Sequence, residues 1–115
     1  MKTVAIFDDD HSICDTIQKL VLKKGMVCVT AQSIPEAAYE MGQSQPDIVI
    51  ADFEFQHGLN ISLLADNLKD MAEQVIIVTG GDPKEILEEY PELKFAKFVK
   101  KGTSLKKLVA ELEAS

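Results

Sequence analysis

Apolar residues in this chain fall into two alternating patterns. Short unbroken runs alternate with stretches in which apolar residues recur every three or four positions. Thr3–Phe7, Met26–Thr30, Asp47–Ala51, Val75–Val78 and Lys94–Lys100 are the short runs, and each predicts a strand. Between them, His11–Lys24 carries Ile13, Ile17, Leu20 and Val21 at helical spacing, and Gly25 stands where a helix ends. Ser33-Ile34-Pro35-Glu36 is a capping box with proline in the first turn, so a second helix starts there and runs to about Met41. A third helix is predicted over Leu59–Lys69 with Leu63, Leu64 and Leu68 inward. A fourth opens at Asp82-Pro83 and stops before Pro91. A fifth is capped by Thr103 or Ser104 and shows Leu105, Leu108, Val109 and Leu112 as its stripe.

Five alternations of strand and helix predict an α/β fold, a parallel sheet covered by helices on both faces. Strands one, three and four have the longest apolar runs and should be central. The order 2-1-3-4-5 satisfies this and puts the switch point between strands one and three.

Length and charge narrow the function. A chain of 115 residues predicts a single domain over residues 1–115, acting alone or as part of a longer protein. No apolar run approaches the ~20 residues of a membrane-spanning helix, and the start does not read as a signal peptide. A formal charge of −7 argues against nucleic-acid binding, which needs positive patches. Cys14 and Cys28 lack metal-ligand spacing and read as reduced thiols of a cytoplasmic protein.

The carboxyl ends of the strands carry the chemistry. Asp8 and Asp9 follow strand one, Asp52 follows strand three, Thr79 follows strand four and Lys101 follows strand five. A lone acid at a strand end most often caps a loop. Two neighbouring strands that both end in acid instead crowd like charges, which is costly unless a cation joins them. Asp9 and Asp52 offer hard oxygens suited to Mg²⁺. The Asp52 carboxylate can act as nucleophile and become an acyl phosphate. Thr79 can donate its hydroxyl to a phosphoryl oxygen, and a lysine ammonium can balance the charge formed. Gly80 and Gly81 leave room for close backbone approach.

Phe7-Asp8-Asp9-Asp10, Asp47-Ile48-Val49-Ile50-Ala51-Asp52, Val78-Thr79-Gly80 and Phe98-Val99-Lys100-Lys101 together resemble the receiver domain of two-component response regulators, across essentially the whole chain. The resemblance implies a flavodoxin-like (βα)5 three-layer sandwich. It implies that Asp52 accepts a phosphoryl group from a histidine kinase or histidine phosphotransfer protein, in the cytoplasm. It also implies Mg²⁺ bound by Asp9, Asp52 and the backbone carbonyl of Glu54, with Asp8 acting through water. Thr79 and Phe98 would form the switch pair. Lys101, three after Phe98, fits the family pattern better than Lys100. Such a domain is not an enzyme in the usual sense, catalysing only its own phosphorylation and dephosphorylation. Acidic Glu85, Glu88, Glu89 and Glu92 precede a lysine cluster that includes Lys94, Lys97, Lys106 and Lys107. The implied switch surface is therefore helix four, strand five and helix five, where a homodimer could pair acid with base.

The sequence departs from the family in two places. Gly102 replaces the usual proline after the lysine, and the loop Phe53-Glu54-Phe55-Gln56-His57-Gly58 is short. His57 could lie near Asp52 but reads better as an ordinary loop histidine. Two alternatives remain. Phe7-Asp8-Asp9-Asp10 also resembles the opening motif of haloacid-dehalogenase-type phosphatases, with Asp8 as nucleophile and Asp10 as general acid. A pseudo-receiver that acts as an interaction scaffold without phosphorylation is the other.

Overall fold

The computed structural model describes residues 2–55 and 60–113, apart from the side chains of residues 105, 106, 111 and 113. The strands are β1 (Thr3–Phe7), β2 (Val27–Ala31), β3 (Ile48–Asp52), β4 (Gln74–Thr79) and β5 (Lys97–Lys100). The helices are α1 (His11–Lys23), α2 (Ile34–Ser44), α3 (Ala65–Met71), α4 (Pro83–Glu89) and α5 (Leu105–Glu113). All strand pairs are parallel, in the order β2-β1-β3-β4-β5. The predicted architecture and strand order are therefore the observed ones.

Side chains of a strand point alternately to the two faces, so each central strand feeds two cores. Val4, Ile6, Ile48, Ile50 and Ile76 pack with Cys14, Ile17 and Val21 of α1 and with Leu108, Val109 and Leu112 of α5. Ala5, Phe7, Val49, Ala51, Val75 and Ile77 pack on the other face with Ala37 and Met41 of α2, Leu68 of α3 and Ile86 of α4. Ile76 and Ile77 are both fully buried. Burial of each such side chain contributes about 1.5–3 kcal/mol, which is why the middle of β4, Val75 to Val78, can be an unbroken apolar run.

The helix starts follow from their caps. The Asp10 carboxylate accepts from the backbone N–H of Ser12 and Ile13 and fixes the start of α1. Ser33 accepts from the Glu36 N–H, and Glu36 reaches back to the N–H of Gln32. Asp82 accepts from the N–H of Lys84.

Several boundaries differ from expectation. Helix α2 runs through Gly42 to Ser44 and stops where Gln45 turns left-handed, at φ 44°. The expected third helix begins at Leu59, outside the described residues; within them, a 3-10 turn at Ile61–Leu64 leads into α3. That tighter turn rotates Leu63 outward, so it is 60% exposed while Leu64 and Leu68 are buried. Strand β5 is shorter than Lys94–Lys100, because Pro91–Leu93 forms another 3-10 turn. Lys94 N–H donates to Pro91 O and Ala96 N–H to Leu93 O, which keeps both out of the sheet. Of the predicted α5 stripe, the Leu105 side chain lies outside the described residues.

Candidate functional site

Parallel pairing aligns the strand ends. Phe7 of β1 is opposite Ala51 of β3, so Asp8 and Asp52 come next, side by side. Asp52 is opposite Val78, and Thr79 is opposite Lys100. Asp8, Asp9 and Asp52 each offer a carboxylate oxygen, and these oxygens lie within 4.8 Å of one another. Asp8 and Asp52 are buried and Asp9 is exposed.

Asp8 and Asp10 are held by backbone. The Asp8 N–H donates to Ala31 O at 3.1 Å, and its Oδ1 accepts from the Asp10 N–H at 2.9 Å. The Cys14 thiol donates to Asp8 O at 3.3 Å. Asp10 is occupied in capping α1, which turns it away from the role of third site ligand.

Lys101, not Lys100, meets the acids: its Nζ lies 3.3 Å from Asp52 Oδ2. Its backbone N–H donates to Thr79 O at 2.8 Å, one step beyond the β4–β5 ladder, and this places the stem over the site. Gly102 then turns the chain with φ 93°, a conformation that favours glycine. A Cβ at Gly102 would meet nothing within 4 Å, so a substitution there is opposed by backbone strain alone. Gly102→Ala is expected to cost about 1–2 kcal/mol in urea unfolding; an unchanged midpoint would contradict the geometry. The glycines after β4 are less demanding than expected. A Cβ on Gly80 would lie 3.9 Å from Lys101 Cδ and one on Gly81 3.6 Å from Thr79 Oγ1, both ordinary contacts.

The electrostatics are those of crowded, poorly solvated carboxylates. Burial pushes Asp8 up to about 6; its bond from Asp10 lowers it, and the charges of Asp52 and Asp9 raise it. Burial also raises Asp52, against the opposing pull of the Lys101 ammonium and of a bond from the Glu54 backbone. Lys101 is raised despite partial desolvation, because Asp52 and Asp8 favour its charged form. Asp8 and Asp52 resist ionisation, and with Asp9 they offer three converging hard oxygens, a donor set that fits a small divalent cation such as Mg²⁺.

Thr79 is buried, and its Oγ1 accepts from the Gly81 N–H at 3.0 Å. A hydroxyl that accepts such a bond can still donate its own proton. Phe98 is half-buried, opposite Ile77, and packs on the core face shared by α2, α3 and α4. His57 lies outside the described residues. Asn60 and Tyr90 were not singled out in the sequence. Asn60 Nδ2 donates to the Tyr90 hydroxyl at 3.0 Å, and the rings of Tyr90 and Phe53 are 5.7 Å apart. Asn60 before Ile61-Ser62 has the form of a cap, which was the one available signal for it.

A family model described as the response regulator receiver domain matches residues 4–113. No curated protein matches the sequence. Among solved structures, a two-component response regulator from Clostridium difficile superposes with TM-score 0.85 at 16% identity, covering 99% of this chain and 94% of that one. The chemotaxis response regulator CheY4 of Vibrio cholerae gives TM-score 0.82 at 18% identity, covering 99% and 98%. Response regulator protein TrrA from Thermotoga maritima, solved in complex with Mg²⁺ and BeF, gives 0.79 at 20% identity, also covering 99% and 98%. At these identities the likeness speaks for the fold.

Proposed function

Since the chain belongs to the response regulator receiver domain family, we propose that it accepts a phosphoryl group on Asp52 from a histidine kinase or histidine phosphotransfer protein and switches a partner-binding surface. The observation that carries this reading is the Lys101 ammonium 3.3 Å from Asp52 Oδ2, in a site where the oxygens of Asp8, Asp9 and Asp52 converge within 4.8 Å. An Asp52 carboxylate oxygen attacks phosphorus, the bond from phosphorus to the donor breaks, and the donor leaves with that electron pair. The product is an acyl phosphate on Asp52. Lys101 balances its charge, and the Thr79 hydroxyl donates to a phosphoryl oxygen. Mg²⁺, held by Asp9, Asp52 and the Glu54 carbonyl with Asp8 acting through water, would supply the positive charge that lets a phosphoryl group approach these acids. The same groups serve hydrolysis, so the domain processes only its own phosphate.

The switch reading rests on Thr79 and Phe98. When the Thr79 hydroxyl turns to the phosphoryl group it gives up its bond from Gly81, and Phe98 follows into the space. This changes the face made by α4, β5 and α5. Glu85, Glu88, Glu89 and Glu92 are exposed, and so are Lys94, Lys97, Lys100 and Lys107. A two-fold pair of copies can match them. Among the described residues no helix is long and apolar enough to cross a membrane, in keeping with a cytoplasmic site of action.

The test is incubation with acetyl phosphate and Mg²⁺, followed by intact mass. One phosphoryl group is expected, absent when Mg²⁺ is chelated. Labelling that survives Asp52→Asn but not Asp8→Asn would support phosphatase chemistry instead, and no labelling at all a scaffold. For the switch, amide exchange with and without beryllofluoride should change in α4 and β5. Changes confined to the loops after β1 and β3, with Thr79→Ala responding like wild type, would refute it.

A further inference from the structure

We propose that Tyr90 is a positioning residue for the metal and phosphoacceptor site, acting through the backbone that follows Asp52. The proposal rests on the receiver reading above and adds a residue outside the acid cluster, Thr79, Lys101 and Phe98.

Tyr90 stands at the C-terminal end of α4, a fixed place. Its N–H donates to Ile86 O at 2.7 Å, and its carbonyl accepts from the Leu93 N–H at 3.0 Å. From there the side chain reaches both ends of the segment that follows the phosphoacceptor. Its ring packs against Phe53, the residue bonded to Asp52, with centroids 5.7 Å apart and planes inclined at 58°. Its hydroxyl accepts from Asn60 Nδ2 at 3.0 Å. Asn60 in turn fixes the turn before α3, because its Oδ1 accepts from the Ser62 N–H at 2.9 Å.

The two ends are also tied to each other and to the sheet. Ile61 N–H donates to Phe53 O at 3.0 Å, and Phe53 N–H donates to Val78 O at 2.9 Å. Tyr90 thus closes a ring of contacts through Phe53, Ile61 and Asn60. Directly after Phe53, within the segment that this ring closes, lies Glu54, whose side chain is exposed. With no side-chain anchor of its own in the core, the Glu54 backbone takes its place from Phe53 on one side and Phe55 on the other. Phe55 is fully buried and stacked on Phe7 at 6.1 Å. Mg²⁺ demands near-ideal octahedral geometry and tolerates little displacement of a ligand oxygen. Side chains that hold a ligand in place then govern affinity although they never touch the ion. Phe55 braces one side of Glu54, and Tyr90 braces the other.

Tyr90→Phe removes the hydroxyl and keeps the ring. Titration of Mg²⁺ should show a dissociation constant raised about threefold to tenfold, while the labelling rate by acetyl phosphate at saturating Mg²⁺ changes much less. This split separates positioning from a general loss of folded protein. Ser44→Ala is the control: it removes a part-buried side-chain bond to Glu40, remote from the acids, and should leave Mg²⁺ affinity unchanged. Asn60→Ser keeps an oxygen for the cap and drops the donor to Tyr90, so it should weaken Mg²⁺ binding as Tyr90→Phe does. The double variant should be no worse than either single one, because both break one contact. Wild-type Mg²⁺ affinity in Tyr90→Phe and Asn60→Ser, in a protein that binds Mg²⁺ and labels normally, overturns the role of Tyr90 alone. A wild-type protein that neither binds Mg²⁺ nor labels overturns the receiver reading and this proposal with it.

Discussion

Asp52→Asn is expected to abolish phosphoryl transfer and, in the absence of Mg²⁺, to make the protein more stable. The first half follows from chemistry: an amide is not a nucleophile toward phosphorus, and among the described residues it is Asp52 that the Lys101 ammonium meets at 3.3 Å. The second follows from charge. The oxygens of Asp52, Asp8 and Asp9 lie within 4.8 Å, and like charges at that separation repel by about 3 kcal/mol at an effective dielectric constant near 20. Asn occupies the same volume without the charge. The loss of the Lys101 pair offsets part of the gain, but the lysine is half-exposed and such pairs are worth at most about 1 kcal/mol. The net expectation is a gain on the order of 1 kcal/mol, a rise of several degrees in melting temperature for a domain of this size. Saturating Mg²⁺ should reverse the ranking, since the ion stabilises the wild-type cluster by mass action and has lost one ligand in the variant. Calorimetry of both proteins with chelator and with Mg²⁺ decides the point. A variant that melts lower than wild type in chelator would show that the acids do not repel in the folded state.

That test concerns the part of the molecule that was plainest in the sequence. Apolar strands ending in Asp8 and Asp52 were legible because a parallel strand buried on both faces is a continuous apolar run, and the first polar residue after it must mark the edge. Lys101 was legible through the family pattern, as the third residue after Phe98 and the first beyond β5. What the sequence hid was every feature set by hydrogen bonds that composition does not report. Phe95 and Ala96 continue the apolar pattern of β5 toward its start, yet the amides of Lys94 and Ala96 bond backward to Pro91 and Leu93. Gly42 looks like a helix stop, but α2 passes through it and ends only at Gln45. Leu63 has the spacing of a core residue in an α-helix and is turned outward by a 3-10 turn. The contact between Asn60 and Tyr90 joins residues 30 apart on different elements, and no periodicity links such a pair. The strand edge therefore came from pattern, while the bracing around it came only from coordinates.

Mg²⁺ affinity should fall steeply as the pH drops below about 6, and the fall should depend on Asp8. Burial raises Asp8 from 3.8 to about 6 in the folded protein, with smaller upward contributions from Asp52 and Asp9. Between those two values the folded state holds a proton that the unfolded state has lost. Stability of the metal-free protein is therefore favoured toward the acid end of this window and declines as the pH rises through it, levelling above about pH 6. The full shift corresponds to roughly 3 kcal/mol. The metal sees the opposite trend, because it needs ionised oxygens and competes with the proton. Above about pH 6 the cluster is ionised at Asp8 and binding displaces no proton from it. Below, each unit of pH should lower apparent affinity up to about tenfold, more steeply where Asp52, also raised by burial, takes up a second proton. Titration calorimetry at about pH 5 and about pH 7.5, in buffers of different ionisation enthalpy, reads both the affinity and the protons released. Asp8→Asn should flatten the profile, since the group that takes up the proton is gone. An affinity that is level across this range in the wild-type protein, or a slope unchanged by Asp8→Asn, would mean that the metal does not share the cleft with Asp8.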